Sequence, residues 1–397
     1  MYRKILVLFV LFVFLINYSF ADEIDTEEII LNSLETSNST LEISPILSKH
    51  AIVIERSTLT VLFEKDGYSQ TPMASTTKIM TAIIAIENSD PSDMVTISSK
   101  AANTGGSTLG IKKNSKLTME TLLYGLLMRS GNDCAVAIAE YISGSIPEFS
   151  KLMNQKAKDL TLNNTHFVTP HGLDATEHYT TAYDLALLTN YALKNETFSK
   201  IVNTKTTTII MDGYEKNISN THELLGYING VYGVKTGFTG NAGRCLITAC
   251  NRNNLDIIIV ILGADTKKIR TTDTINIINY IYNNFEIVDT LSIIKKRLIL
   301  PSIYIKNTNS LAKIYLEDKN NYNYPISKNN KKFEIKIHLL NNQKAPLIAN
   351  SKIGTIQLYV NDIFLYENNI LIKENIYSYS YIENIYNLFK KFKKLGK

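Results

Sequence analysis

Ser75 and Lys78 stand three residues apart in "PMASTTKIMTAI", residues 72 to 83, where Ile79, Ala82, Ile83 and Ile86 continue an apolar stripe at helical spacing. If Ser75 opens that helix, the two side chains share one face and the lysine points towards the core. A serine hydroxyl is a poor nucleophile until a base takes its proton. A lysine withdrawn from water becomes such a base, because burial disfavours its charged form. The positive end of the helix dipole would also favour negative charge developing at the serine. Alone, the pair is equally an N-cap serine beside a snorkelling lysine. Two further groups narrow the choice. Ser130-Gly131-Asn132 interrupts two helical runs, and such a break offers a hydroxyl and an amide to a cleft, although it is also an ordinary turn. Lys235-Thr236-Gly237, in "GVKTGFT", falls on a strand where glycine admits close approach of a substrate backbone. A strand lysine is otherwise a solvated edge charge. Their co-occurrence in this order lifts all three above these ordinary readings.

The elements that must position them are legible in outline. "AIVIE" (51 to 55) and "LTVLFE" (59 to 64) predict a hairpin, residues 73 to about 200 have mainly helical spacing, and strands return from 230 to 264, with "NRNN" turning between the last two. "DTINIINYIYNNF" (273 to 285) predicts a closing helix. Strands at both ends with helices between imply one sheet assembled from the two extremes of the segment. After Val288 the chain reads as short β pieces with Asn-rich turns, a separate small β domain. From Tyr381 to Lys397, Ile382, Ile385, Phe389 and Phe392 share a helical face, and five lysines crowd the end, the pattern of a helix lying in an anionic membrane surface.

The chain as a whole has 397 residues, 45% apolar and 20% charged, which is the balance of a globular protein of about two domains. A net charge of +5 without a basic run interleaved with aromatics argues against nucleic acid as a partner. Arg3 and Lys4, an apolar run from Ile5 to Ile16 and Ser19-Phe20-Ala21 predict a secretory signal cleaved before Asp22. Residues 22 to 45 read as a polar, acidic linker. Cys134, Cys245 and Cys250 form no disulfide framework; the last two have opposite parity in one strand and should face opposite sides. His166, His171 and His178 match no standard zinc spacing, so neither metal nor cofactor is expected.

The three motifs together resemble the penicillin-recognising serine acyl transferases. "PMASTTKIMTA", "LLMRSGNDCAVAIAEYISGS", "NNTHFVTPHGLDATEHYTTAYDLALL" and "GVKTGFTGNAGRCLITA" resemble more closely the low-molecular-mass D-alanyl-D-alanine carboxypeptidases, over about residues 46 to 376 and on to the amphipathic tail. The resemblance implies an α/β (α+β) fold with an antiparallel sheet flanked by helices (46–286), a small all-β domain (287–376) and an anchor helix (377–397). It implies release of the terminal D-alanine from peptidoglycan stem peptides, acylation by β-lactam antibiotics, and a place at the outer face of the cytoplasmic membrane. Position by position, it makes Ser75 the acylated nucleophile, Lys78 its base and Ser130 a proton shuttle. Asn132, Lys235, Thr236 and Gly237 would bind substrate, the backbone N–H groups of Ser75 and Phe238 would form the oxyanion hole, and Arg270 would take the terminal carboxylate. His171 would lie in a loop beside the substrate. His222 is a departure: relatives tend to carry asparagine there. A β-lactamase would need a base against the acyl-enzyme, for which Glu177 is the candidate; a penicillin-binding sensor without turnover is the non-enzymatic alternative.

Overall fold

The computed structural model describes residues 42–297, 302–308, 311–317, 323–329, 331–340, 343–386 and 388. The expected signal segment, most of the acidic linker and the lysine-rich end of the tail lie outside the described residues.

Residues 40–287 form one compact unit. Its strands are β1 (His50–Glu55), β2 (Val61–Lys65), β3 (Met94–Thr96), β4 (Lys116–Thr118), β5 (Thr206–Met211), β6 (Tyr214–Ser219), β7 (Val231–Thr239), β8 (Gly243–Arg252) and β9 (Leu255–Ala264). The central sheet runs β2-β1-β9-β8-β7 and is antiparallel throughout, so the amino-terminal strand β1 closes against the late strand β9. Its helices are α1 (Lys78–Asn88), α2 (Ser99–Ala102), α3 (Met119–Met128), α4 (Asn132–Ser143), α5 (Ile146–Asp159), α6 (Ala182–Ala192), α7 (Glu196–Val202) and α8 (Lys267–Asn284).

Both faces of this sheet are covered. Ile52 and Ile54 of β1 and Ile258, Val260 and Leu262 of β9 pack with Ile79, Met80, Leu122 and Ile138 of the helical layer. Ala51, Val53, Ile257, Ile259 and Ile261 point the other way, onto Ile277, Ile278 and Ile281 of α8. A strand buried on both sides has no reason to alternate polar and apolar residues, which is why "LDIIIVILGA" reads as one unbroken run. Cys245 and Cys250 of β8 fall into these two opposite clusters, as their parity implied, and all three cysteines are free and buried.

The helical region expected from 73 to 200 is interrupted by β3 and β4, which pair with each other. The hairpin of β5 and β6 was not anticipated either, although its turn residues Asp212 and Gly213 both have positive φ and Asp-Gly is the tight-hairpin signal.

The described residues from 288 onward belong to a second unit. Here β13 (Ile314–Leu316), β15 (Phe333–Leu339), β16 (Lys352–Val360) and β17 (Ile363–Ile372) form an antiparallel sheet in the order β13-β17-β16-β15; β11 (Ile303–Tyr304), β12 (Leu311–Ala312) and β14 (Asn323–Ser327) are shorter strands, and β10 (Phe285–Asp289) runs across the boundary at 287/288. Alternate residues Ile335, Ile356, Leu358, Ile370 and Ile372 are fully buried in its own core. One short helix, α9 (Thr290–Arg297), precedes it. Residues 381–386 and Leu388 are helical and exposed, Ile382 among them. No helix among the described residues is long and apolar enough to cross a membrane.

Candidate active site

Ser75 does not open the α-helix as expected. Ala74–Thr77 is a 3-10 turn and α1 begins at Lys78. The threonine hydroxyls explain this: Thr76 Oγ1 donates to the Met73 carbonyl (2.6 Å) and Thr77 Oγ1 to the Ala74 carbonyl (2.8 Å), which tightens the turn before the helical pattern starts. Ala74 carries φ +49°, a left-handed conformation that non-glycine residues adopt at a cost of about 1 kcal/mol or more.

The turn brings Lys78 Nζ to 2.9 Å from Ser75 Oγ. Lys78 is wholly buried, and Nζ also donates to Asn132 Oδ1 (2.7 Å) and to the His171 carbonyl (2.6 Å). Burial, with the neighbouring Lys235 charge as a second cause, holds Lys78 well below the ordinary lysine value. Once neutral, the amine has two N–H bonds and one lone pair. The two fixed acceptors, Asn132 Oδ1 and the His171 carbonyl, take the two N–H bonds. The lone pair is left facing the serine hydroxyl.

Ser130 lies in the left-handed region (φ +59°) between α3 and α4, and its hydroxyl receives a hydrogen bond from Lys235 Nζ at 2.9 Å. Lys235 Nζ also donates to the Thr236 carbonyl (2.9 Å). Burial first, then the charge of Arg270, push Lys235 down to about 7. Asn132 is held by its own neighbours: Nδ2 donates to the Gly105 carbonyl (2.8 Å) and its N–H to the Ser107 carbonyl (2.7 Å). Asp133, the next residue, accepts from the backbone N–H groups of Leu109, Gly110 and Ile111, at 3.0, 2.8 and 3.2 Å. The start of α4 thus straps down the loop over residues 105–111.

Strand β7 passes directly beside the serine. A Cβ on Gly237 would lie 3.2 Å from the Ser75 backbone nitrogen, a tight contact that a side chain could make only if the turn shifted by a few tenths of an ångström. Phe238 is 51% exposed, and the Arg244 guanidinium stacks 3.6 Å from its ring centroid. Thr236 Oγ1 lies 2.9 Å from Thr221 Oγ1.

His171 contributes its carbonyl rather than its ring, whose Nδ1 accepts from Leu173 N–H at 3.1 Å. Its position depends on Gly172, at φ +85°, where a Cβ would stand 1.9 Å from the Ala74 carbonyl oxygen. His178 supports the same turn from behind, with Nε2 at 2.9 Å from Thr77 Oγ1. Glu177, the candidate lactamase base, is exposed, and its carbonyl accepts from His166 Nδ1. No group of His, Cys, Asp and Glu among the described residues could hold a metal ion.

Arg270 is buried in α8, and its guanidinium meets Glu223, a residue outside the three motifs. The segment carrying Glu223 also carries Thr221, and His222 is buried with Nε2 at 3.1 Å from Thr248 Oγ1. The signal was available in one residue: a carboxylate two places after the threonine that meets the K-T-G strand.

The profile of the family described as D-alanyl-D-alanine carboxypeptidase matches residues 35–266. The D-alanyl-D-alanine carboxypeptidase DacF of Bacillus subtilis is 33% identical over 338 residues, 83% of this chain and 86% of that protein. Penicillin binding protein 5 from Haemophilus influenzae superposes with a TM-score of 0.66 at 25% identity, over 85% of this chain and all of that one. The Streptomyces K15 DD-transpeptidase gives a TM-score of 0.58 at 30% identity, over 60% of this chain and 98% of that one.

Proposed function

We infer that this chain, which belongs to the D-alanyl-D-alanine carboxypeptidase family, turns its substrate over through an acyl-enzyme on Ser75. It is a serine-type hydrolase and penicillin-binding protein of the cell wall. The observation that carries the mechanism is the buried Lys78 Nζ, 2.9 Å from Ser75 Oγ, with two other acceptors fixing its N–H bonds.

In the proposed first half-reaction Ser75 Oγ attacks the carbonyl carbon of the penultimate D-alanine while its proton passes to Lys78 Nζ. Backbone N–H groups of Ser75 and Phe238 meet the oxyanion. The C–N bond then breaks, and the leaving D-alanine nitrogen takes the proton from Lys78 through Ser130. Lys235, 2.9 Å from Ser130 Oγ, supports that relay. Water, deprotonated towards Lys78, adds to the ester and returns Ser75. Lys235, Thr236 and Arg270 form the carboxylate side of the site, and a β-lactam would acylate Ser75 in the same way.

A peptidoglycan stem peptide is the substrate class this reading names, and export with attachment at the outer face of the cytoplasmic membrane is its setting. The apolar run behind Arg3 and Lys4 and the lysine-rich amphipathic tail support that setting. Within it, residues 46–286 are the catalytic domain and 287–376 the small β domain.

The test uses protein lacking residues 1 to 21 and a peptide ending in D-Ala-D-Ala. Release of D-alanine, abolished in Ser75→Ala, is the expected result; a stable penicillin adduct on Ser75 without any released D-alanine would favour a sensor instead. Deleting residues 377 to 397 should free the protein from membranes, and continued sedimentation with them would sink the anchor.

A further inference from the structure

We propose that Glu223 is a built-in counter-carboxylate for Arg270 that sets how tightly the site holds the terminal carboxylate of its substrate. The proposal rests on the reading of Arg270 as the carboxylate partner.

Arg270 is 4% exposed, so its guanidinium has little access to water and needs a counter-charge. Glu223 supplies it through Oε1, which also accepts from Thr271 Oγ1 at 2.7 Å, while Oε2 accepts from Lys267 Nζ at 2.7 Å. The carboxylate is therefore held by three side chains of one helix, α8, and cannot swing away without losing all of them. Arg270 Nε, on the other hand, is buried without a hydrogen-bond partner, so Glu223 does not use up the donors of the fork.

The position of this pair ties it to the reacting centre. Glu223 lies two residues from Thr221, which touches Thr236 of the K-T-G strand, and the Arg270 charge reaches Lys235. The carboxylate of an incoming peptide is the same chemical group as Glu223 and seeks the same cation. It meets a guanidinium whose charge Glu223, shared with Lys267, already partly offsets, so part of the attraction is cancelled. The benefit is twofold: the buried cation is stabilised while the site is empty, and a released D-alanine, which carries that carboxylate too, is not retained. Glu223 is accordingly a specificity-determining residue on the binding side and takes no part in bond making.

Glu223→Gln removes the charge and keeps an oxygen acceptor for Thr271 and Arg270. The expected result is a KM for the D-Ala-D-Ala peptide lowered by about fivefold, the size of one partly screened charge interaction, with the change on KM rather than kcat. Glu223→Asp, which keeps the charge, should stay close to the unmodified protein. The same peptide carrying a terminal carboxamide, used as a competing inhibitor, should gain nothing from Glu223→Gln. A raised KM, or an equal gain for the carboxamide, overturns the proposal. Should Glu223→Gln fail to fold, Glu223→Ser is judged by the same measurements, and loss of folding in both assigns Glu223 to stability and equally overturns it. Failure of the underlying reading looks different: Arg270→Ala would then leave the KM of the carboxylate-ended peptide unchanged.

Discussion

The proposed chemistry turns on how one lysine is kept neutral and aimed. Burial is the first cause of the depression of Lys78, and the adjacent Lys235 charge adds to it. In the proposed mechanism the neutral amine is the base, so β-lactam acylation should be lost as pH falls through the Lys78 value and should reach its plateau below the ordinary lysine value of about 10.4. Replacing Lys235 by methionine removes a positive neighbour, which makes protonated Lys78 less unfavourable and raises its pKa. The acid limb of the acylation profile should therefore move to higher pH in Lys235→Met, whatever happens to the absolute rate. A limb that stays in place would show that the Lys235 charge does not act on the group being titrated. Direction is set separately, by Asn132 Oδ1 and the His171 carbonyl, and neither acceptor acts through a charge.

At the scale of elements, the serine turn is wedged between β7, the start of α4 and the loop over residues 171–173. Gly172 is the tightest of these contacts. Any Cβ would overlap the Ala74 carbonyl at 1.9 Å, and φ +85° disfavours a side chain regardless of space. Gly172→Ala must move either the turn carrying Ser75 or the carbonyl of His171 that holds Lys78. We expect a destabilisation of about 2 kcal/mol or more, visible in a denaturant midpoint, together with at least a tenfold loss of acylation rate, about 1.4 kcal/mol of barrier. Normal acylation in a folded Gly172→Ala protein would contradict the role given to the His171 carbonyl. The 105–111 loop is tied to the same centre by Asn132 and Asp133, so the S-G-N break orders a wall of the site as well as supplying two side chains.

For the molecule as a whole, three histidines of the unit 40–287 are held by burial in surroundings that favour the neutral ring. Burial is the first cause for each, and it presses His171, His178 and His222 down to about 4. His178 shows why: Nδ1 accepts from Val168 N–H at 2.9 Å, a bond that a proton on that nitrogen would break. A histidine whose folded value lies below its unfolded value of about 6.5 leaves the unfolded chain holding more protons between the two. The stability it contributes is present above about pH 6.5 and is lost as pH falls towards 4, on the order of 3 kcal/mol per histidine. Urea midpoints should accordingly drop steeply between pH 6.5 and 4.5. A flat profile across that window would mean that these rings are already hydrated or charged in the native state.

Much of this was written along the chain. Hydrophobic spacing located the sheet strands at the two ends of the catalytic unit, the helices between them and the β-rich second unit, because burial imposes period on sequence directly. Three short motifs named the side chains that surround Lys78, since residue type alone limits what a serine, a lysine and an amide can do. The 3-10 turn at Ser75 was hidden, because threonine hydroxyls bonding back to carbonyls leave no mark on apolar spacing. The β5–β6 hairpin is marked in the sequence by Asp212-Gly213 alone, too short a signal to stand out from apolar spacing. Folding alone decided that a carbonyl at His171 would orient the lysine and that a carboxylate at Glu223 would meet Arg270, 47 residues away along the chain. Backbone groups carry no residue identity, and a partner distant in sequence becomes a partner only when the sheet and α8 close on each other.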